Sequence, residues 1–470
     1  MSRHFDIVVI GSGPGGYVGA LKAAQLGASV AVIERGCLGG TCLNVGCIPS
    51  KALLASAHLL HQIRHASELG VTVGGDVSFD WAKIQSRKDR VIRMLQNGVK
   101  SLFAGRKIEL IAGDAKLAGV GRVVVEGKAG AEEITCNNVI LAVGSRPARI
   151  PGWPEDSSIV CTSDEALHWK TLPGKLLIVG GGIIGCEFAC MMQTLGVEVT
   201  VVELMPRILP ELDCHLAEAM QKILAKRGVK LLTGVKVQEM KLADAGAQAV
   251  LSDGQGVSVD RVLVAVGRRP ATEGIGLESV GLTVDRGFIR VDDHMQTPVK
   301  GVSCIGDANG RCLLAHAASE QGVVAAMNIT GKPTVYHAAI PSCVYTFPEI
   351  SSVGMTQEQA QAKKIPVSIG SFPIGYLGKA MAVGETEGFV KVIRHRESGE
   401  LLGIHMLGHN VTELIAAAGA MLHHKLSVRE VADVVYAHPT ISESLKEAAE
   451  DSLGEALHLP PRKVIRIGAQ

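Results

Sequence analysis

The 470-residue sequence predicts an α/β protein built from two similar parallel-stranded sheets and a smaller C-terminal domain of α+β type. Two observations support this prediction. A strand, a glycine-rich turn, a helix and a second strand that ends at an acidic residue occur near the amino terminus, and the same order recurs later in the chain. After residue 334 the pattern instead predicts strands at 342–346, 389–394 and 401–407, covered by helices at 411–424 and 428–434.

The first unit begins with the apolar run Asp6–Ile10, which is typical of a buried parallel strand. Three glycines form the turn after it: Gly11, Gly13 and Gly16. A helix is expected over 17–26 and a strand over 29–33, which ends at Glu34, 23 residues after Gly11. Such glycines admit a pyrophosphate to the helix amino terminus, and the acid can accept hydrogen bonds from ribose hydroxyls. A dinucleotide site is therefore predicted; the alternative is a tight strand–helix turn without a ligand.

The second unit repeats this arrangement. Its strand is expected at 175–179, its helix at 186–195 and its second strand at 198–202, closed by Glu203. Its turn also contains three glycines at the same spacing: Gly180, Gly182 and Gly185. Glu203 again follows the first glycine by 23 residues. The repetition predicts two nested Rossmann-like dinucleotide-binding domains.

Two cysteines, Cys42 and Cys47, lie among glycines just after the first unit. Five residues of unbroken helix rise roughly 7.5 Å, more than the roughly 7 Å over which two Cα atoms can be bridged. If the cysteines form a disulfide, the backbone between them must therefore turn; Gly46 permits this, and Pro49 suits the first turn of a following helix. A bridge over so short a loop restricts little chain entropy, so redox chemistry explains it better than stabilisation. The alternative is two unrelated buried thiols.

Further elements connect these units. Apolar runs predict helices at 52–65, 82–102 and 313–328, strands at 138–144 and 261–267, and a short strand within 302–307. The strands at 138–144 and 261–267 resemble each other. Each is followed by a tripeptide that ends in Arg-Pro, and we interpret these tripeptides as the ends of the two nucleotide-binding domains.

Composition narrows the functional classes. The 47 basic and 46 acidic residues give a net charge of +1, which argues against nucleic acid as a partner. No run of eighteen apolar residues is present, so no membrane span is expected. Strand-like sequence begins by Phe5, so we expect no targeting peptide and a cytoplasmic location. The eleven irregularly spaced cysteines do not suggest a secreted disulfide framework. No metal site is expected, because Cys186 and Cys190 are better explained by helix packing.

Taken together, the motifs resemble the flavin disulfide reductases, which are class I pyridine nucleotide-disulfide oxidoreductases. Within that family the sequence is similar to the dihydrolipoamide dehydrogenases along nearly its whole length. The matching segments are GSGPGGYVGA, GGTCLNVGCIPSKALL, VGGGIIGCEF, IGDANGRCLLAHAASEQG, YTFPEISSVGMT and AHPTISESLKEAA. The resemblance implies four domains: an FAD-binding domain at 1–150 that carries the redox disulfide, an NAD-binding domain at 151–275, a central domain at 276–345 that completes the FAD site, and an α+β dimerisation domain at 346–470.

The resemblance also implies residue roles. Cys42 would be the thiol that meets the substrate and Cys47 the thiol beside the flavin, while Lys51 and Glu187 match a pair near the flavin ring. His438 would be the base, oriented by Glu443, and both would act on the disulfide of the other subunit. The implied FAD contacts are Gly11, Gly13, Gly16, Glu34, Lys51, Gly113, Ser145, Gly306, Asp307, Leu314, Ala315 and His316. The implied NAD contacts are Gly180, Gly182, Gly185, Glu187, Glu203, Val235 and Gly267.

The expected activity is oxidation of protein-bound dihydrolipoyl groups to the lipoyl disulfide with reduction of NAD, using FAD, in a homodimer. The expected partners are lipoyl-bearing domains or proteins of 2-oxoacid dehydrogenase or glycine cleavage complexes. One alternative is a glutathione- or mercuric-reductase-like enzyme; Glu203 argues against NADPH, and the last cysteine, Cys343, lies far from the carboxyl terminus. Another is a non-enzymatic redox sensor, which would not need the complete catalytic set. The final segment, LHLPPRKVIRIGAQ, departs from the shorter ending usual in the family, and its role is left open.

Overall fold

The computed structural model describes residues 3–128, 130–154, 158–243, 246–337 and 339–468, and it confirms the α/β fold class. The helices of these ranges are α1 (Pro14–Gln25), α2 (Gly40–Val45), α3 (Cys47–Arg64), α4 (Trp81–Gly105), α5 (Ser163–Ala166), α6 (Ile183–Thr194), α7 (Cys214–Lys226), α8 (Ala315–Ile329), α9 (Gln357–Ala362), α10 (Gly378–Val383), α11 (Val411–His423), α12 (Val428–Asp433) and α13 (Glu443–Leu453). In the described ranges no helix is both long enough and apolar enough to cross a membrane.

The strands of the two nucleotide-binding parts are β1 (Arg3–Ile10), β2 (Val30–Glu34), β3 (Glu109–Ala112), β4 (Asp114–Gly119), β5 (Arg122–Gly127), β6 (Gly130–Leu141), β7 (Ser145–Pro147), β8 (Val160–Thr162), β9 (Lys175–Val179), β10 (Glu198–Glu203), β11 (Lys230–Thr233), β12 (Val237–Ala243), β13 (Gly246–Leu251), β14 (Gly256–Val259), β15 (Arg261–Val264), β16 (Arg268–Pro270) and β17 (Val302–Cys304). The strands of the C-terminal part are β18 (Ser342–Val344), β19 (Glu349–Gly354), β20 (Val367–Pro373), β21 (Phe389–His395), β22 (Leu401–Gly408) and β23 (Ile465–Ile467).

The first sheet has the order β3-β2-β1-β6-β5-β4, and β17 also pairs with β6. Strands β1, β2, β3 and β17 run parallel to their neighbours, whereas β4, β5 and the first half of β6 form an antiparallel meander. Strand β6 begins eight residues before the predicted strand 138–144, because its first half pairs with β5 and only its apolar second half lies between β1 and β17. The segment at 302–304 is thus built into the sheet of the first domain.

The second sheet is parallel, with the order β11-β10-β9-β15-β8, and a three-stranded antiparallel sheet of β12, β13 and β14 lies beside it. The two tripeptides noted in the sequence, β7 and β16, pair with each other in antiparallel register, with Ser145 opposite Pro270. They therefore form a two-stranded connection between the two domains.

The third sheet is antiparallel, as predicted, with the order β18-β19-β22-β21-β20-β23. Helix α11 packs on β19 and β22, and α13 packs on β20 and β21. Residues 342–344, which precede the predicted boundary at 345, belong to this sheet. Strand β23 comes from the C-terminal segment whose role the sequence left open.

The three parts share buried surfaces around α3. Its apolar residues Leu53 and Ala57 belong to one core cluster with Cys186 and Cys190 of α6 and with Ile350 of β19. Both cysteines are almost fully buried, at 0% and 2% exposure. Helix α3, which begins at Cys47, is thereby fixed against both other domains.

A buried ion pair joins the second domain to the third. Lys391 of β21 and Asp213, which precedes α7, have side-chain exposures of 1% and 0%. The lysine Nζ lies 2.8 Å from both carboxylate oxygens and 2.8 Å from Oε1 of Gln357. Burial alone would raise the pKa of Asp213, but the charge of Lys391 holds it below its usual range.

Candidate active site

The backbone turns between the two cysteines, as a disulfide would require, although Cys42 and Cys47 are free thiols in this structure. Cys42 lies in α2, Cys47 is the first residue of α3, and the two helices are separated at Gly46, whose φ of −144° and ψ of −115° are not helical. A Cβ at Gly46 would lie 3.0 Å from the Thr41 carbonyl oxygen, so the position leaves little space for a side chain. The helix predicted at 52–65 in fact begins five residues earlier, which places Cys47 beside the unpaired N–H groups of the first helical turn.

The two thiols differ in acidity. The pKa of Cys47 is lowered to about 7, first because it receives a hydrogen bond from Cys42; burial opposes this effect, and the positive charge of Lys51 assists it. The hydrogen bond to Cys47 and burial together raise the pKa of Cys42. In the reduced pair the negative charge therefore resides on Cys47. This asymmetry agrees with the predicted division of roles, in which Cys47 is the thiol that leaves and Cys42 the thiol that is attacked.

Lys51 forms an ion pair with Glu187. Its Nζ lies 2.9 Å from both carboxylate oxygens, and Glu187 on α6 is only 5% exposed. Glu187 also accepts a hydrogen bond from the backbone N–H of Tyr345, and the ammonium lies 4.5 Å from the centre of the Tyr345 ring. Three residues, one from each domain, are therefore in contact one helical turn from Cys47: Lys51, Glu187 and Tyr345.

A cavity of about 1210 Å³ extends from the cysteine pair to both glycine-rich turns. Most of the predicted site residues line it: Gly13, Gly16, Cys42, Cys47, Lys51, Ser145, Gly180, Gly182, Glu187, Glu203, Val235, Gly267, Gly306, Asp307, Leu314, Ala315 and His316. Single small-molecule sites typically occupy about 300–1,000 Å³. The cavity is thus larger than a typical single site, and it connects the cysteine pair with both glycine turns.

The first glycine turn is built to hold a ligand against its backbone. A Cβ at Gly11 would lie 2.4 Å from the Ala142 carbonyl oxygen, and φ there is +100°, so a side chain is excluded from the turn. At Gly13, in contrast, no atom lies within 4 Å of the Cβ position, and the backbone faces the cavity. The amino terminus of α1, which begins at Pro14, opens onto the same space and favours an anion there.

In each nucleotide-binding unit, the acidic residue at the end of the second strand stabilises the glycine turn of the same unit. Glu34 accepts hydrogen bonds from the Ser12 N–H at 2.8 Å and the Gly36 N–H at 2.8 Å. Glu203 accepts the corresponding bonds from the Gly181 N–H at 2.6 Å and the Met205 N–H at 2.7 Å. A carboxylate has further lone pairs, so both groups can still accept from a ribose hydroxyl. Those ribose contacts remain predictions.

Ser145 and Asp307 meet where the first and second domains join. The Ser145 hydroxyl donates to Oδ2 of Asp307 at 2.5 Å and accepts from Nε of Arg268 at 2.7 Å. The same guanidinium lies 3.5 Å from the Thr41 hydroxyl, next to Cys42. From the sequence, Arg268 was recognised only as part of the Arg-Arg-Pro tripeptide. Neither Arg268 nor Thr41 nor Tyr345 was predicted to be a site residue. The pairing of β7 with β16, which brings these groups together, has no local sequence signal.

Four predicted cofactor contacts, Gly11, Glu34, Gly113 and Gly185, lie outside the described lining of the cavity. Gly11 and Gly185 are packed inside their turns, where a Cβ at Gly185 would lie 2.0 Å from the Gly180 carbonyl oxygen. Gly113 follows β3, and its N–H donates to the Glu34 carbonyl oxygen at 3.1 Å. Among the described residues these positions shape the turns and the strand end rather than the cavity surface.

His438 and Glu443 form a pair that is separate from the cavity of their own chain. His438 Nδ1 lies 2.9 Å from Oε1 of Glu443, and Oε2 of Glu443 accepts from the Thr440 N–H at 2.9 Å. Burial alone would raise the pKa of Glu443, but these two hydrogen bonds lower it. The His438 side chain is 75% exposed, and neither residue belongs to the described lining of the cavity. The structure thus assembles an exposed His–carboxylate pair outside the described lining of the cavity of its own chain.

The donor set fits the two predicted cofactors. Two glycine turns, each with an open backbone position at a helix amino terminus and a strand-end acid, suit two dinucleotides. Cys42, Cys47, Ser145 and Asp307 line the same cavity as both turns, and so do Val235 and Gly267. The assignment of FAD to the first turn and NAD to the second remains a prediction.

Comparisons with known proteins agree with this geometry. Residues 5–322 match the family described as "Pyridine nucleotide-disulphide oxidoreductase", and residues 340–449 match its dimerisation domain. Proteins named dihydrolipoyl dehydrogenase from Bacillus subtilis (strain 168) and Zymomonas mobilis are 40% and 41% identical; each alignment covers 97% of this chain and 100% of the relative. The solved structure of LpdA from Mycobacterium tuberculosis superposes with a TM-score of 0.89 at 28% identity, over 96% of this chain and 99% of that one. A flavoprotein disulfide reductase from Escherichia coli, RclA, in its Cu(II) complex, gives a TM-score of 0.86 at 28% identity, with the same coverage.

Proposed function

Because the chain belongs to the pyridine nucleotide-disulphide oxidoreductase family, we propose that it oxidises protein-bound dihydrolipoyl groups to the lipoyl disulfide and reduces NAD to NADH. The cofactors are FAD and NAD. The observation that carries this proposal is the Cys42–Cys47 pair: it lies at a helix break, carries its negative charge on Cys47, and opens into a cavity that also contains both dinucleotide turns.

The reaction begins with a proton transfer. A neutral imidazole has the proton affinity needed to accept a thiol proton near neutral pH. Glu443, hydrogen-bonded at Nδ1, fixes the tautomer that leaves Nε2 free to accept, and its negative charge stabilises the imidazolium that forms. In this proposal His438 of the partner subunit supplies this group, as the family resemblance implies; the absence of His438 from the described cavity lining of its own chain supports this.

Two thiol–disulfide exchanges follow. The substrate thiolate forms a bond to Sγ of Cys42, the Cys42–Cys47 bond breaks, and Cys47 leaves as a thiolate that Lys51 stabilises. The second substrate thiol attacks the substrate sulfur of the mixed disulfide and the bond to Cys42 breaks; the proton of this thiol passes to the departing sulfur of Cys42, while the imidazolium retains the first proton. The substrate has then lost two electrons and the cysteine pair has gained two. FAD, when bound, supplies the carrier that passes this electron pair on to NAD.

The residues that would hold FAD are those of the first turn together with Ser145 and Asp307, and those that would hold NAD are the second turn with Glu203. A carboxylate at the position of Glu203 repels a 2′-phosphate, which favours NAD over NADP. The proposed assembly is a two-fold homodimer, supported by the match of residues 340–449 to a dimerisation domain. The substrates are lipoyl groups on 2-oxoacid dehydrogenase or glycine cleavage proteins, and the proposed location is the cytoplasm.

The proposal is tested by purifying the full chain and comparing NAD reduction by dihydrolipoamide with NADPH oxidation by glutathione disulfide. We expect the first reaction and not the second. Cys42→Ser and Cys47→Ser should each abolish the first reaction while the protein keeps its yellow flavin absorbance. Substantial dihydrolipoamide turnover by Cys42→Ser would refute the disulfide mechanism, and glutathione reduction by the parent would refute the substrate.

A further inference from the structure

The C-terminal segment, residues 454–468, is an integral part of the third domain. Strand β23 pairs with β20, which would otherwise be the exposed edge of the sheet. Arg462 binds Asp451 of α13 through Nε at 2.9 Å and Nη2 at 2.5 Å, and it also donates to the Ser371 carbonyl oxygen at 2.6 Å. Asp451 has a side-chain exposure of 8% and accepts from the Ser371 N–H at 2.8 Å. The segment is therefore anchored to the helix that begins at Glu443.

The same segment places a second His–carboxylate pair beside the first. His458 Nδ1 lies 2.5 Å from Oε1 of Glu447, and the His458 N–H donates to Oε2 of Glu447 at 3.4 Å. Glu447 is one helical turn after Glu443 on α13, and its side-chain exposure is only 8%. The chain thus carries two consecutive carboxylates on one helix face, each paired with a histidine that comes from outside the helix.

This face of α13 is strongly acidic without the segment. Glu443, Glu447 and Glu450 follow each other at helical spacings of four and three residues, where like charges repel. The repulsion has a visible effect on Glu450, because burial and the charge of Glu447 raise its pKa and its Oε2 is buried without a hydrogen-bond partner. Lys446 is the basic neighbour of Glu450 on the helix itself, at 3.9 Å. A cation at Glu447 would relieve the repulsion that acts on Glu443.

His458 can supply that cation when it is protonated, because its Nδ1 lies against Oε1 of Glu447. Its hydrogen bond to Glu447, followed by the charges of Glu447, Glu450 and Glu443, raises the pKa of His458. The His458 charge in turn helps to lower the pKa of Glu443, after the larger effects of Thr440 and His438. The histidine side chain is 74% exposed, so it can exchange protons with solvent and can be replaced without opening the core.

We propose that His458 is a positioning residue for the His438–Glu443 pair: through its bond to Glu447 it offsets the negative charge next to Glu443, and the C-terminal segment carries it to that position. This inference rests on the proposed function, since it assigns His438 the role of base. If the charge of His458 is lost, the surroundings of His438 become more negative. The imidazolium form of His438 is then favoured, and His438 loses its proton at a higher pH.

The size of the effect follows from Coulomb's law. A unit charge one or two helical turns away, in a largely aqueous dielectric, moves the pH at which the imidazole is half protonated by about 0.3–0.5. This corresponds to a change of about two- to threefold in the rate on the acidic side of the pH profile. His458→Gln keeps a hydrogen-bonding group but removes the charge, whereas His458→Lys restores a charge. Lys463→Gln is the matched control, because it removes one positive charge from an exposed position of the same segment.

The holoenzyme variants are compared by two measurements. The first is the pH profile of kcat for dihydrolipoamide; the second is the midpoint of His438 itself, from hydrogen–deuterium exchange at the imidazole C2 position followed by mass spectrometry. His458→Gln should lower the acidic-limb rate two- to threefold and raise the His438 midpoint, while His458→Lys and Lys463→Gln match the parent. An unchanged His438 midpoint in His458→Gln, or an equal change in Lys463→Gln, would overturn the inference. A parent without dihydrolipoamide activity would refute the proposed function alone, because the exchange measurement needs no substrate.

Discussion

Lys51 should control the reactivity of Cys47. The two residues are one helical turn apart on α3, and the lysine charge is among the causes that lower the pKa of Cys47 to about 7. Replacing Lys51 with Met removes that charge and also leaves Glu187, whose own charge raises the pKa of Cys47, without its counter-ion. Both changes act in the same direction, so the pKa of Cys47 should rise.

The magnitude follows from the geometry. Charges about 6 Å apart in an effective dielectric of about 20–40 interact by about 1.4–2.8 kcal/mol, which corresponds to a pKa change of about 1–2. The Lys51 side chain keeps 32% of its surface exposed, so solvent screening favours the lower end of this range. With a pKa near 8 instead of 7, the thiolate fraction at pH 7 falls from about one half to about one tenth, and alkylation slows about fivefold.

The assay is the rate of alkylation of Cys47 by iodoacetamide in the reduced holoenzyme, followed by peptide mass spectrometry across pH 5–9. Lys51→Met should move the midpoint upward, Lys51→Arg should keep it, and Glu187→Gln should move it downward. Cys42, whose pKa is raised, serves as the internal reference in each sample. A midpoint in Lys51→Met equal to that of the parent would refute the electrostatic account, as would an equal displacement in Lys51→Arg.

Three further predictions follow from the same structure. Glu203→Gln combined with Leu204→Arg, at an exposed position on the cavity, should raise kcat/KM for NADP relative to NAD, and an unchanged ratio would mean that Glu203 only holds its glycine turn. Co-expression of a Cys47→Ser chain with a His438→Gln chain should give heterodimers with up to half of the parent activity, since one of the two sites is then intact; an inactive, verified heterodimer would show that His438 serves its own chain. Lys391→Met should lower the free energy of unfolding by about 3–5 kcal/mol in denaturant titrations, because it leaves a buried carboxylate without its counter-ion, and a loss below about 1 kcal/mol would contradict this.

The sequence alone was sufficient for the two nucleotide-binding units. The strand at 175–179 has the same bounds in the structure, and the strand–turn–helix order of both units is as predicted. These features depend on short-range causes: apolar runs, glycines with unusual backbone angles, and an acid at fixed spacing. The turn between Cys42 and Cys47 was expected from the sequence only on the hypothesis that the two cysteines form a disulfide, because five residues of unbroken helix would hold their Cα atoms too far apart.

Residue contacts between distant segments could not be predicted in this way. Lys51 and Glu187 are 136 residues apart, and the strand pairing that brings Arg268 to Ser145 spans more than a hundred residues. Glu34 and Glu203 were correctly placed at the strand ends, but their hydrogen bonds to their own glycine turns became visible only in three dimensions. The roles taken from the family resemblance, including those of His438 and Glu443, remain predictions about a second subunit.

The C-terminal segment shows most clearly which features the sequence predicts and which only the tertiary structure reveals. Its residues carry no periodic signal long enough to predict a strand, and nothing local indicates that His458 meets Glu447 or that Arg462 meets Asp451. Sequence determined the glycine turns, the acids and the cysteine pair, because each depends on neighbours within a few positions. Only the tertiary structure showed that Glu187 lies beside Lys51 near Cys47 and that His458 lies beside Glu447 near Glu443, because these groups come from another domain and from the C-terminal segment, and their effect depends on distance and burial.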